Sequence, residues 1–128
     1  AVAVVGSAAE RPLCEQVCAA VTPHVRAARN FAGDTTLRQF IDCAAACRVF
    51  LTNDSGSMHI AYAMRVPAVA VFGPTDHIGT GPLGAHTRIV RHAVECSPCK
   101  LRECPIAHRC MKGVTAGEVA RAALELLK

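Results

Sequence analysis

Short apolar runs alternate along this chain with longer stretches whose apolar residues recur at helical spacing. Ala1-Val2-Ala3-Val4-Val5 is unbroken apolar sequence, too short for a helix, and it predicts a buried strand over 1–5. Gly6-Ser7-Ala8-Ala9 follows as a turn of small residues. A helix is expected from about Glu10 to Ala28, packing through Leu13, Val17, Ala20 and Val21. Pro12 suits its first turn, and Pro23 is expected to end or kink it. His24, Arg26 and Arg29 then fall near its carboxyl end, where positive charge is favoured. Asn30-Phe31-Ala32-Gly33 reads as a short extended piece. Asp34-Thr35-Thr36 offers an N-cap to a helix from Leu37 to about Ala46, with Leu37, Ile41 and Ala44 on one face and Phe40 beside them.

The stretch that organises the rest is Phe50-Leu51-Thr52-Asn53-Asp54-Ser55-Gly56-Ser57-Met58-His59. Val49, Phe50 and Leu51 predict a buried strand, and Thr52 to Gly56 is turn chemistry. Met58, Ile60, Ala61, Ala63 and Met64 predict a helix that is apolar on most sides, with Met58 and Met64 in the core. Pro67 ends it and a strand follows over 67–71. A Gly/Pro-rich loop runs from Phe72 to about His86, then a strand over 87–90, then a Cys-rich basic loop to Lys112. The last helix spans about Thr115 to Leu127, with Val119, Ala122, Ala123 and Leu126 as its packing stripe and Thr115 with Glu118 as a capping box. Strands alternating with helices predict an α/β fold: a three-layer, Rossmann-like parallel sheet with helices on both faces. Ligands on such sheets bind beyond the carboxyl ends of the strands, where the turns after Val5, Leu51 and Val71 are expected.

Composition narrows this further. The chain's 128 residues amount to one domain, 1–128, able to bury a workable core. A net charge of +4 with no Trp and one Tyr gives little support to nucleic-acid binding. No apolar run is long enough to span a bilayer. The opening strand has no secretory signal before it, so the chain is expected to start inside a larger fold. Eight cysteines are many, but four lie in helical sequence among alanines, which fits reduced thiols in a cytosolic protein better than a disulfide scaffold.

The polar chemistry collects at two turns. After the organising strand, the N–H groups of Ser55, Gly56 and Ser57 and the two serine hydroxyls can cradle a diphosphate, with Gly56 allowing close approach. Asp54 is anionic and suits a helix cap or sugar hydroxyls rather than phosphate. An ordinary N-capped turn is the plain alternative. His59, one turn into the helix, is either a packing residue or a contact to phosphate or sugar. In Phe72-Gly73-Pro74-Thr75-Asp76, Thr75 offers a hydroxyl and Gly73 a close backbone approach, unless the loop is simply rigid. Gly6-Ser7 is a weaker phosphate candidate. Cys96, Cys99, Cys104 and Cys110, with His92 and His108 nearby, are metal-ligand types, although the second C-x-x-C of a zinc ribbon is missing; structural thiols or disulfides are the alternatives. The basic residues of this loop, Arg88, Arg91, Lys100, Arg102, Arg109 and Lys112, form either a solvated face or one that attracts anionic glycolipid and headgroups. Cys14 with Cys18 and Cys43 with Cys47 read as small buried residues.

TNDSGSMHIAYAMRVPAVAVFGPTD resembles the signature of the heptosyltransferases of glycosyltransferase family 9, in which N-D-[ST]-G-x-M-H is followed by a helix, a strand and F-G-P-T. The later Cys96-Ser97-Pro98-Cys99 … Cys104-Pro105 … His108-Arg109-Cys110-Met111 is similar to that family too, so the resemblance covers nearly the whole chain. His77-Ile78 departs from the Pro and Arg common there. The resemblance implies the C-terminal, donor-binding half of a two-domain GT-B enzyme, with the first strand of that half and the acceptor-binding half absent. It implies transfer of heptose from ADP-heptose to the lipopolysaccharide inner core, at the cytoplasmic side of the inner membrane and peripheral to it, with no metal at the diphosphate and no cofactor. The donor site would comprise Asn53, Asp54, Ser55, Gly56, Ser57, His59, Gly73 and Thr75. Thr35 and Leu37 would lie at the nucleoside end, where GT-B enzymes bind the base. No catalytic residue is expected in this chain, because the general base would come from the absent half. Two other readings stay open: a different nucleotide-sugar enzyme on the GT-B scaffold, or a metal-holding interaction module built on the Cys loop.

Overall fold

The computed structural model describes residues 1–128 and divides into two compact units, Ala1–Asp42 and Cys43–Lys128. In the first unit, β1 (Val2–Val4) pairs parallel with β2 (Ala28–Asn30), in the register Val2 to Ala28 and Val4 to Asn30. The crossover is α1 (Arg11–Val21), which packs on both strands. Its buried face is Cys14 and Cys18, while Leu13 and Val17 stay 61% and 45% exposed. The cysteines are therefore small core residues, and the expected Leu13/Val17 stripe is on the outside. α1 stops at Val21, well short of Ala28, because Pro23 has no N–H to continue the ladder; Thr22–His24 form one 3-10 turn instead. Arg29 accordingly lies in β2 and not at a helix end, and its guanidinium sits 5.8 Å from the centre of the Phe31 ring.

Gly33 closes this unit. Its φ is +75°, and an added Cβ would lie 2.7 Å from the Ala8 Cα. Its N–H donates to the Gly6 carbonyl at 3.0 Å, extending the β1–β2 pairing. The helix α2 (Leu37–Ala45) is capped by Thr36 and not by Asp34 or Thr35: Thr36 Oγ1 accepts from Gln39 N, and Gln39 Oε1 accepts from Thr36 N at 2.9 Å. Asp34 is instead ion-paired with Arg11. Ala44 is buried, but Leu37 remains 68% exposed and does not join the core face expected of it.

The second unit is a three-stranded parallel ladder in the order β3 (Phe50–Asn53), β4 (Ala68–Phe72), β5 (Thr87–Arg91). β4 lies in the middle, and Ala68, Val69, Ala70 and Phe72 are fully buried, as its unbroken apolar run requires. α3 (Gly56–Ala63) is the crossover from β3 to β4, and its Met58 meets Ala70 and Phe72 in the core, with Ile89 against them. Met64 does not follow Met58 inside; it is exposed beyond the end of α3. α5 (Ala116–Leu126) packs on β4 and β5 through Ala123, and helices cover both faces of the sheet. The Thr115–Glu118 capping box at its start is present in both directions. One short helix, α4 (Arg109–Lys112), interrupts the Cys-rich loop that the sequence pattern left irregular.

Candidate functional site

The parallel register puts the carboxyl ends of β3 and β4 side by side, so Asp54–Ser57 and Gly73–Thr75 leave the same edge of the ladder. β3 runs on to Asn53, and the turn is only Asp54 and Ser55 before α3 begins at Gly56. The Asp54 N–H donates to the Val71 carbonyl at 3.1 Å and holds the turn on β4. Ser55 is the N-cap residue, in extended conformation, and its side chain caps no helix N–H. The half-buried carboxylate of Asp54 does not cap α3, contrary to one expectation.

This leaves the start of α3 well supplied with donors. The N–H groups of Ser55, Gly56 and Ser57 have no acceptor within the protein, and no acidic residue lies in the first turn. Their partial charges sum to the positive end of the helix dipole. Below them is a hydroxyl cluster. Ser57 Oγ lies 2.6 Å from Ser55 Oγ and 2.9 Å from Thr52 Oγ1, and Thr52 Oγ1 donates to the Asn53 carbonyl at 2.9 Å. With Thr52 spent on that carbonyl and Ser57 donating to Thr52, the Ser55 hydroxyl donates to Ser57, so the three protons form one chain and the N–H groups are the donors left for a ligand. An added Cβ at Gly56 would meet no atom within 4 Å, so the surface above it is open. His59 is exposed three residues further on, on the helical neighbourhood of Gly56.

The loop after β4 is held from the other side by the Cys-rich segment. Ser97 Oγ donates to the Gly73 carbonyl at 2.7 Å, and the Lys100 N–H donates to the Pro74 carbonyl at 2.8 Å. Gly73 is buried, and a Cβ there would lie 2.2 Å from Met111 Sδ, so its missing side chain makes room for Met111. Thr75 Oγ1 is buried with no partner, a state that costs about 1–3 kcal/mol unless something pairs with it. Asp76 is spent on its own loop: N–H groups of Gly79 and Ile78 hold its carboxyl below the usual carboxylate range.

The Gly6-Ser7 turn is unlike the Ser55 turn. The Ser7 N–H and hydroxyl both donate to Glu10 Oε2, each at 2.7 Å, and hold the Glu10 carboxyl below its ordinary value. The donors a phosphate would use are already taken by a carboxylate. In the first unit, Thr35 is half-buried and Leu37 exposed at the start of α2. The Cys loop does not assemble a metal centre: no group of three or more His, Cys, Asp or Glu converges anywhere in the chain. Cys110 is buried, Cys104 half-buried, and Cys96 and Cys99 are exposed; all eight thiols are free. Residue pattern alone missed Thr52, whose hydroxyl anchors the cluster, and Glu10, which blocks the rival turn. The spacing of Thr52, Ser55 and Ser57 around one glycine was the available signal.

A parallel α/β ladder with an unfilled helix start at its carboxyl edge defines a Rossmann-like ligand-binding fold. The family described as "Glycosyltransferase family 9 (heptosyltransferase)" matches residues 1–109, and the chain belongs to that family. The lipooligosaccharide heptosyltransferase 2 of Campylobacter jejuni (serotype O:2) is 34% identical over 122 residues, 94% of this chain and 38% of that protein. The lipopolysaccharide heptosyltransferase 2 of Escherichia coli K12 is 40% identical over 91 residues, 70% of this chain and 26% of its own length. Among solved structures, the ADP-heptose lps heptosyltransferase II of E. coli superposes with a TM-score of 0.80 at 32% identity, covering 98% of this chain and 35% of that one. A family 9 glycosyl transferase from Veillonella parvula, 22% identical, has the same fold with a TM-score of 0.77, covering 98% of this chain and 36% of that one. The chain thus spans about a third of the length of the proteins it is similar to.

Proposed function

We propose that residues 1–128 form the donor-binding, C-terminal part of a GT-B heptosyltransferase, and that the donor diphosphate sits on the start of α3. The observation that carries this reading is the set of unpartnered N–H groups of Ser55, Gly56 and Ser57 over the Thr52–Ser55–Ser57 hydroxyl cluster. An anion there is favoured by about 0.3–1 kcal/mol from the helix dipole alone, before its hydrogen bonds are counted. Thr75, with its orphaned hydroxyl on the same edge, and exposed His59 complete the diphosphate and sugar contacts. Asn53 and Asp54 accept from sugar hydroxyls.

The reaction of the whole enzyme is transfer of heptose from ADP-heptose to the inner core of lipopolysaccharide, on the cytoplasmic face of the inner membrane. As the glycosidic bond to the diphosphate breaks, negative charge grows on the leaving ADP. Fixed N–H dipoles at the start of α3 offset that charge without reorganising. The base that activates the acceptor hydroxyl is supplied from outside this chain. The related names of its heptosyltransferase relatives support this donor and acceptor class.

Calorimetric titration of the chain with ADP and ADP-heptose tests the reading. At Gly56 an added Cβ meets nothing within 4 Å, so the fold should persist in Gly56→Val while affinity drops by roughly tenfold or more through loss of close approach. Unchanged affinity in a folded Gly56→Val chain would remove the diphosphate from this turn. Tighter binding of another nucleotide sugar would keep the scaffold and change the donor.

A further inference from the structure

The opposite edge of the same ladder carries a second feature that donor binding does not use. A cavity of about 350 Å³ opens where α3 ends and where β4 and β5 begin. Tyr62, Arg65, Val66, Leu83, His86 and Thr87 are among its walls, and no carboxylate lines it. Two of these walls hold locally unfavourable arrangements. Thr87 Oγ1 is buried with no hydrogen-bond partner. Arg65 has φ +57°, the left-handed region.

The reason for that φ is plain. Val66 N–H donates to the Ala61 carbonyl at 3.0 Å and Arg65 N–H to the Tyr62 carbonyl at 2.9 Å. These are the two bonds of a Schellman motif closing α3, with Arg65 at the position glycine ordinarily fills. A cation near a helix carboxyl end is favourable, but a residue in the last turn would supply it without leaving the ordinary backbone region. Neither Arg65 nor His86 has an ion-pair partner among the side chains of the protein. A strained arginine, an orphan hydroxyl, a histidine and an aromatic ring therefore surround one cavity that has no negative group of its own.

We propose that this cavity binds a small organic anion, a carboxylate or phosphate carried on a compact aromatic or aliphatic body. Arg65 and His86 hold the anionic head, and Tyr62, Val66 and Leu83 cover the apolar body. The site is separate from the edge proposed for the nucleotide sugar and does not depend on that proposal.

The test is amide chemical-shift mapping of the 128-residue chain with benzoate and phenyl phosphate as probes and benzyl alcohol as the uncharged control. Saturable shifts confined to 62–66 and 83–87 are expected from one or both anions, with the alcohol weaker by roughly tenfold. The stronger of the two anions tells carboxylate from phosphate. Arg65→Gly fits the left-handed position, so it should raise the thermal midpoint while weakening anion binding by roughly tenfold. Arg65→Gln keeps a side chain at the left-handed position and removes the guanidinium, so it should weaken binding equally. The proposal is overturned by the absence of saturable shifts at tens of millimolar probe, by shifts centred on 54–57, or by affinity that survives both Arg65 substitutions.

Discussion

Two glycines, Gly33 and Gly56, should respond to alanine in opposite ways. At Gly33 the φ of +75° is one that a side chain adopts at a cost of about 1–2 kcal/mol. The added Cβ would also stand 2.7 Å from the Ala8 Cα and 2.8 Å from its Cβ. Those atoms belong to the backbone and to a methyl group, so they cannot swing aside, and forced overpacking of this kind costs about 1–3 kcal/mol. Gly33→Ala should therefore lose about 2–5 kcal/mol. At Gly56 the φ is ordinary and nothing lies within 4 Å of an added Cβ. Alanine is also the better helix former, so Gly56→Ala should change stability by no more than about 0.5–1 kcal/mol, and upward. Urea midpoints with unchanged m-values read both changes directly. If Gly33→Ala costs less than 1 kcal/mol, or if Gly56→Ala costs as much as Gly33→Ala, the geometry argued for both turns is wrong. If the contrast holds, the glycine at the start of α3 serves something other than folding.

Acid should weaken the fold through a small set of carboxylates. Glu10 is held down by the Ser7 hydroxyl and N–H, Glu118 by the Thr115 N–H and hydroxyl, and Asp76 by the Gly79 and Ile78 N–H groups. Each has a folded pKa below its ordinary value, 4.5 for the glutamates and 3.8 for the aspartate, so its contribution is complete above that value and is lost as pH falls through the lowered folded one. Urea midpoints should thus be flat above pH 5 or so and fall below about pH 4, with a shallower fall in Glu10→Gln and Glu118→Gln. Alkylation followed by mass spectrometry should modify Cys96 and Cys99 first and reach Cys14, Cys18 and Cys110 only as the chain unfolds. Early modification of Cys14 would contradict the packing of α1.

The order of elements in the second unit was legible because each signal there is local. The apolar run of β4 and the Thr115–Glu118 box reappear in the structure at almost the expected places. The first unit was harder to read. β2 is Ala-Arg-Asn, three residues with no apolar alternation, and it is a strand only because its neighbour β1 pairs with it. α1 turns its cysteines inward, and hydropathy ranks Leu13 and Val17 above them. The two rival phosphate turns look alike in sequence, since both are small, serine-bearing and followed by a helix. What separates them is Glu10, whose carboxylate folds back on Ser7, and no acidic residue stands in the matching place after Ser55. The four loop cysteines are metal-ligand types without the spacing of a zinc ribbon, and the structure buries Cys110 on α4 while Cys96 and Cys99 stay exposed.

The grip of the Cys-rich segment on the loop after β4 makes one atom unusually informative. Pro74 has no amide proton, so it is silent in hydrogen exchange. Its carbonyl is nevertheless held by the Lys100 N–H, 26 positions along the chain (100 − 74), and the adjoining Gly73 carbonyl by the Ser97 hydroxyl. The exchange rate of the Lys100 amide therefore clocks the opening of the wall that carries Thr75. A nucleotide that tightens this edge should slow that one proton, even though Lys100 itself need never touch the nucleotide.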